Sequence, residues 1–183
     1  MSVGQHVINR KIYLTAKEIS KNTRPQGGIK TYTMSYIQSL HHIIIRTKYS
    51  ESVLPDEHSE ELYRYMWGYI KNKKSFLYRI NGMTDHIHIL VSIHSTIALS
   101  DFVKNLKTSA NTWLKNNKDK FPDFKFWGEK YAAFTIRYQE KESVIEYIKN
   151  QREHHKSESF KDEYRRLIVE NGIEIDERYF LTD

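Results

Sequence analysis

Two imidazoles one residue apart, His86 and His88, stand in the segment Asp85-His86-Ile87-His88-Ile89-Leu90-Val91-Ser92-Ile93. The segment alternates like a strand, and alternate strand residues point to opposite faces. Ile87, Ile89, Val91 and Ile93 therefore share one face, and His86 and His88 share the other. At a rise of ~3.3 Å per residue the two histidine Cα atoms lie ~6–7 Å apart, close enough for both rings to converge on one metal ion. The same pattern also describes two polar residues on the solvent side of an amphipathic strand.

A second group of candidates lies in Val144-Ile145-Glu146-Tyr147-Ile148-Lys149-Asn150-Gln151-Arg152-Glu153-His154-His155. If the segment is helical, Tyr147 and Gln151 are stacked neighbours at i and i+4. Val144, Ile145 and Ile148 mark its buried stripe, and Tyr147 lies at the margin, where a phenol can face a cleft. A Gln carbonyl oxygen suits Mg²⁺ or Mn²⁺. A tyrosine hydroxyl of pKa ~10 is a weak nucleophile at neutral pH and needs activation. A metal that binds phosphate oxygens polarises the phosphorus. Attack by the phenol on a phosphodiester would then store the bond as a phosphotyrosine. Tyr147 also reads as a half-buried packing residue, one of 13 tyrosines. His154 and His155 read as surface or DNA-contacting groups at a helix C-terminus, with metal ligation as the alternative.

Composition narrows the partners. The 183 residues suffice for one compact domain, and 29 Lys and Arg against 23 Asp and Glu leave a formal charge of +6. A basic surface suits a polyanion, and aromatic side chains suit stacking on unpaired bases. With no cysteine, disulfides, Cys-based zinc sites and a cysteine nucleophile are excluded. The N-terminus lacks the apolar stretch of a signal peptide and nothing is long enough to span a membrane, so a cytoplasmic protein is expected.

Residues 1–33 stand apart. They carry the breaker-rich stretch Thr23-Arg24-Pro25-Gln26-Gly27-Gly28 and little periodicity. They read as an N-terminal extension, a flexible tail or an artefact of an upstream start, with an accessory helix at 15–22 as the alternative. Residues 34–183 read as a single catalytic domain. Its expected elements are a strand around the β-branched run Ile43-Ile44-Ile45, a helix over 55–73, and a strand from Phe76 to Ile80. A turn at Asn81-Gly82 leads to a strand from Asp85 to Ile93. A helix over 100–117 is capped by Ser100, a strand over 126–138 is broken near Gly128, and helices follow over 141–155 and 158–170, the last stopped by Asn171-Gly172. This order is an α+β, split βαβ pattern: an antiparallel sheet with helices on one face and additional C-terminal helices, its other face free for a ligand or partner. Lys104 and Lys107 on the 100–117 helix, together with Arg137, Lys149 and Arg152, are candidate DNA contacts.

Taken together, these residues resemble the single-tyrosine HUH transposases, the small TnpA-type enzymes of bacterial insertion sequences, including domesticated repeat-associated relatives. The likeness rests on His86-Ile87-His88 within Gly82–Val91, and on Tyr147 to Gln151. Support comes from His41-His42-Ile43 through Lys48-Tyr49, Lys104 to Trp113, Phe126-Trp127-Gly128 through Phe134, and the tail Gly172–Tyr179. It covers about residues 34–180. The resemblance implies a ferredoxin-like (RRM-like) fold and a homodimer in which one subunit's tyrosine helix often completes the other's site. It also implies recognition of DNA hairpins and cleavage and rejoining of single-stranded DNA through a 5′-phosphotyrosine. Tyr147 would be the nucleophile, and His86, His88 and Gln151 the ligands of Mg²⁺ or Mn²⁺. A replication-initiator or relaxase-like nickase, a non-catalytic single-stranded nucleic-acid-binding module and a phosphodiesterase using activated water are the alternatives.

Overall fold

The β-branched run in the first strand places the centre of the sheet. In a computed structural model describing residues 36–183, β1 (Leu40–Thr47) pairs antiparallel with both β3 (His86–Ser92) and β4 (Trp127–Thr135). β2 (Phe76–Gly82) extends β3, so the strand order is β2-β3-β1-β4. Helix α1 (Ser59–Asn72) joins β1 to β2, and α2 (Leu99–Asn116) joins β3 to β4. Three helices follow: α3 (Lys141–Lys149), the single turn α4 (Gln151–His154) and α5 (Phe160–Glu170). This is the ferredoxin-like split βαβ arrangement with C-terminal additions. The extension at 1–33 and the helix expected at 15–22 lie outside the described residues. Among the described residues no helix is long and apolar enough to cross a membrane.

One face of the sheet forms the larger core. Ile43, Ile45, Ile87, Ile89 and Val91 pack against Leu62, Met66 and Ile70 of α1 and Phe102, Val103, Leu106, Ala110 and Leu114 of α2. Both helical sets recur every three or four residues, as an apolar stripe requires. Each fully buried aliphatic side chain contributes about 1.5–3 kcal/mol.

The opposite face, expected to be free, is covered. Ile44, Ala132 and Phe134 pack against Phe160, Tyr164 and Leu167 of α5. Leu40 and Leu90 pack against Ile145 and Ile148 of α3. The cause is visible in the strands. Ile43-Ile44-Ile45 and Ile89-Leu90-Val91 are continuous apolar runs, the pattern of strands buried on both faces. His42, Arg46, His86 and His88 are therefore buried polar groups on a roofed face.

Three local expectations are corrected. Asn81-Gly82 is not the hairpin turn; both residues belong to β2 and the connection is Met83-Thr84-Asp85. Gly82 pairs with Ile87, and a β-carbon there would lie 2.1 Å from the His86 carbonyl oxygen, so close backbone approach is what requires glycine. The Asn81 amide donates to the carbonyls of Ile148 and Lys149, at 2.9 and 3.1 Å, capping the open end of α3. The helix expected over 141–155 is interrupted at Asn150. Ala98, not Ser100, precedes α2. The break expected near Gly128 is a shift of register: β4 continues through Gly128, but its pairing with β1 is irregular between Trp127 and Tyr131. The Asn171-Gly172 stop holds: Gly172 has φ 72, and Ile173 donates to Ile168 at 3.2 Å.

Gly82→Ala should cost at least about 2 kcal/mol, because the clash is with backbone that cannot swing aside. Urea unfolding measures it, and a cost below about 0.5 kcal/mol would show that the hairpin can relax.

Candidate active site

The roofed face brings five elements to one point. β3 supplies His86 and His88, both 0% exposed, and β1 supplies His42, 3% exposed. Across from them, α3 supplies half-buried Tyr147, α4 supplies Gln151, and α5 supplies Glu163, with His155 just after α4. Phe160, Tyr164 and Leu167 anchor α5 on the sheet, and Glu163 falls inside that apolar stripe, 1% exposed.

Both imidazoles are oriented from behind. His86 Nδ1 donates to the Asp85 carboxylate at 2.6 Å. His88 Nδ1 stands 2.9 Å from His42 Nε2. With Nδ1 as the donor in each ring, Nε2 keeps its lone pair, the form that binds a metal. His86 Nε2, His88 Nε2 and Gln151 Oε1 are all buried and make no hydrogen bond among the described residues. Buried polar atoms are ordinarily paired. Three orphaned acceptors at one point are what a site for a divalent cation would leave when metal-free, and imidazole nitrogen with amide oxygen is a suitable donor set. The residues fit the ion that the resemblance implies.

Glu163 is the hub. Its Oε1 accepts from the Tyr147 hydroxyl and from Gln151 Nε2 at 3.0 Å. Its Oε2 bonds His155 Nε2 at 3.0 Å and lies 3.7 Å from His86 Nε2 and 3.5 Å from His88 Nε2. Burial alone would raise the Glu163 carboxyl, but His155, His88 and Tyr147 outweigh it and hold the group well below the usual carboxylate range. His155 is pushed up, chiefly by its bond to Glu163. Burial and the Glu163 carboxylate raise the Tyr147 phenol, against the pull of Arg166, whose Nη2 lies 3.3 Å from the hydroxyl.

The expected ligands His86, His88 and Gln151 and the expected nucleophile Tyr147 are thus brought together within one chain. Glu163, His42 and Arg166 were missed. For Glu163 a signal existed: a charge at a core-facing position of an apolar helical stripe is rare without a partner. His155, read first as a surface group, has a side chain only 9% exposed.

The candidate DNA contacts are dispersed. Lys104 and Lys107 lie on α2, across the sheet from the histidines, and the Lys107 ammonium is tied to the carbonyls of Gly128 and Glu129. Arg137 pairs with Glu140 at 3.0 Å, Lys149 with Glu146 at 3.0 Å and Arg152 with Asp56 at 2.6 Å. Each of these three arginine and lysine side chains remains over two-fifths exposed.

A sequence model described as "Transposase IS200 like" matches residues 35–151, a span that holds His86, His88, Tyr147 and Gln151 and ends before Glu163. No curated protein matches the chain. Among solved structures, a REP-associated tyrosine transposase bound to a REP hairpin superposes with a TM-score of 0.51 at 12% identity, covering 69% of this chain and 74% of its own. A candidate transposase from Deinococcus radiodurans R1 gives 0.48 at 24% identity, covering 70% and 98%. The first of these likenesses is one of fold.

Burial, aided by mutual repulsion with other histidines, lowers His42 to about 3 and His88 to about 4 from 6.5. Between those values and 6.5 the unfolded chain binds more protons than the folded one, so both residues make stability fall as pH drops through that window. His155 is raised and acts above 6.5, with its contribution lost as pH rises. The urea midpoint of the metal-free protein should therefore drop between about pH 6.5 and about pH 5, with a shallower drop in His42→Gln. An equally steep drop in that variant would remove His42 as a source.

Proposed function

The chain belongs to the IS200-like transposase family, and from that premise we propose that it cleaves and rejoins single-stranded DNA through a 5′-phosphotyrosine on Tyr147. The observation that carries this reading is the convergence of the Tyr147 hydroxyl, the Gln151 amide and two orphaned imidazole nitrogens around one carboxylate. His86, His88 and Gln151 would hold Mg²⁺ or Mn²⁺, which when bound supplies Lewis-acid polarisation of a phosphate.

The chain's own groups do the rest. The Tyr147 oxygen forms a bond to phosphorus, and the bond from phosphorus to the 3′-oxygen breaks. The phenolic proton leaves toward Glu163 Oε1, its existing acceptor, and the departing 3′-oxygen takes up a proton. Arg166, beside the hydroxyl, offers positive charge to the developing phenolate. Asp85 and His42 keep the imidazoles aimed throughout. The phosphodiester is exchanged rather than hydrolysed, so rejoining to a 3′-hydroxyl needs no ATP.

Hairpin DNA is the substrate class we assign, by analogy with the hairpin-bound relative. Lys149 ends α3, which carries Tyr147, Arg152 follows in α4, and Arg137 lies in the connection before α3; phosphates can displace their exposed carboxylate partners. Lys104 is exposed on α2, whereas Lys107 would first have to release two carbonyls. If two copies pair as a homodimer, the pairing is not needed to bring Tyr147 to the histidines, since one chain holds both.

With Mn²⁺ and a hairpin-tailed oligonucleotide, the protein should give a covalent adduct on a denaturing gel. Tyr147→Phe should lower adduct formation at least about 1,000-fold while still retarding the DNA, and chelation should abolish it. Cleavage by Tyr147→Phe at the parental rate, or free ends without adduct, would replace tyrosine attack with activated water.

A further inference from the structure

Glu163 has so far served as a partner for the tyrosine, yet its second oxygen faces the two orphaned nitrogens. The separations, 3.7 Å to His86 Nε2 and 3.5 Å to His88 Nε2, are too long for hydrogen bonds. They suit a different relation. Two donors on one ion, each about 2.1 Å from it, stand about 3.0 Å apart at a right angle and about 3.4 Å apart at a tetrahedral angle. Donor atoms of His86, His155 and Glu163 all lie within 4.8 Å of one another.

Charge argues the same way. His86, His88 and Gln151 are neutral donors, whereas Mg²⁺ is ordinarily held by one or two carboxylates. Glu163 is the buried carboxylate at this point, 1% exposed, and a buried carboxylate needs a cation. Its Oε1 already holds both Tyr147 and Gln151, so one side chain joins the nucleophile, the amide ligand and the cation site.

We propose that Glu163 is itself a ligand of the divalent ion, through Oε2, alongside His86, His88 and the Gln151 amide oxygen. The inference rests on the reading that those three residues hold an ion. Gln151 would keep Nε2 on Glu163 Oε1 while turning its free Oε1 to the cation. His155, bonded to the same Oε2, competes with the ion for that oxygen and has to yield or share it. The ligand set then spans β3, α4 and α5, so binding ties the C-terminal helix to the sheet.

The test is Mn²⁺ titration by calorimetry, without DNA, on the full-length wild type, His86→Ala and Glu163→Gln. Loss of an outer partner of a metal site costs about 10–100-fold in affinity, so loss of a ligand should cost each variant more than about 100-fold, and a Glu163→Gln loss inside the 10–100-fold range would make Glu163 an outer partner and overturn ligation. If His86→Ala weakens binding but Glu163→Gln stays within about twofold of wild type, Glu163 is not a ligand and the three-residue site stands. If neither variant changes Mn²⁺ affinity, both readings fail. Circular dichroism checks folding. Should Glu163→Gln not fold, the anomalous signal of Mn²⁺ soaked into wild-type crystals decides: a Glu163 oxygen within about 2.4 Å of the ion supports ligation, and one beyond about 3.5 Å overturns it.

Discussion

A carboxylate buried beneath helices is the constraint on which the rest of this structure turns. Glu163 is almost wholly withdrawn from water and lies in the stripe that fastens α5 to the sheet. An isolated buried charge is costly, so its neighbourhood must supply donors or positive charge. Tyr147, Gln151 and His155 supply hydrogen bonds, and two bare imidazole nitrogens complete the ring. Removing any member leaves the others unsatisfied in a low-dielectric setting, where each unpaired group is expensive.

The layered architecture serves that cluster. The face toward α1 and α2 is plainly apolar and supplies stability without chemistry. The other face mixes Ile44, Leu90 and Phe134 with His42, His86 and His88, so apolar contacts at its margins hold a polar centre in place. The Asn81 cap on α3 is part of the same scheme. It ties the end of the tyrosine helix to β2, just before Gln151, and so sets the height at which that amide meets the histidines. Where β1 meets β4, Arg46 pairs with Asp183 at 2.8 Å, and Gly128 leaves room for both side chains.

The phenol is held in a protonated, partnered state. Burial and a carboxylate neighbour both raise it, whereas a nucleophile needs the opposite. On the proposed reading, activation would come with the substrate and the ion, as new positive charge lowers the phenol and Glu163, its resting partner, takes the proton. If Tyr147 is the nucleophile, this arrangement would hold it unreactive until DNA arrives.

Much of this was readable from local pattern. Alternation in Asp85–Ile93 put His86 and His88 on one face, and the i, i+4 spacing put Gln151 beside Tyr147, because strand and helix periods act over a few residues whatever the surroundings. The β-branched run located the central strand, and Asn171-Gly172 located a helix end. Glu163 beside the histidines, His42 behind His88, Asn81 as a cap and the roof over the second face were decided only by tertiary packing. Those contacts join residues far apart in the chain, and a helix's own periodicity says which side is apolar but not which sheet face it will cover. The chain's local rules determined which groups could do chemistry, and the docking of α3 to α5 on the sheet determined that they meet, since only burial against a second layer brings distant polar atoms into one water-excluded point.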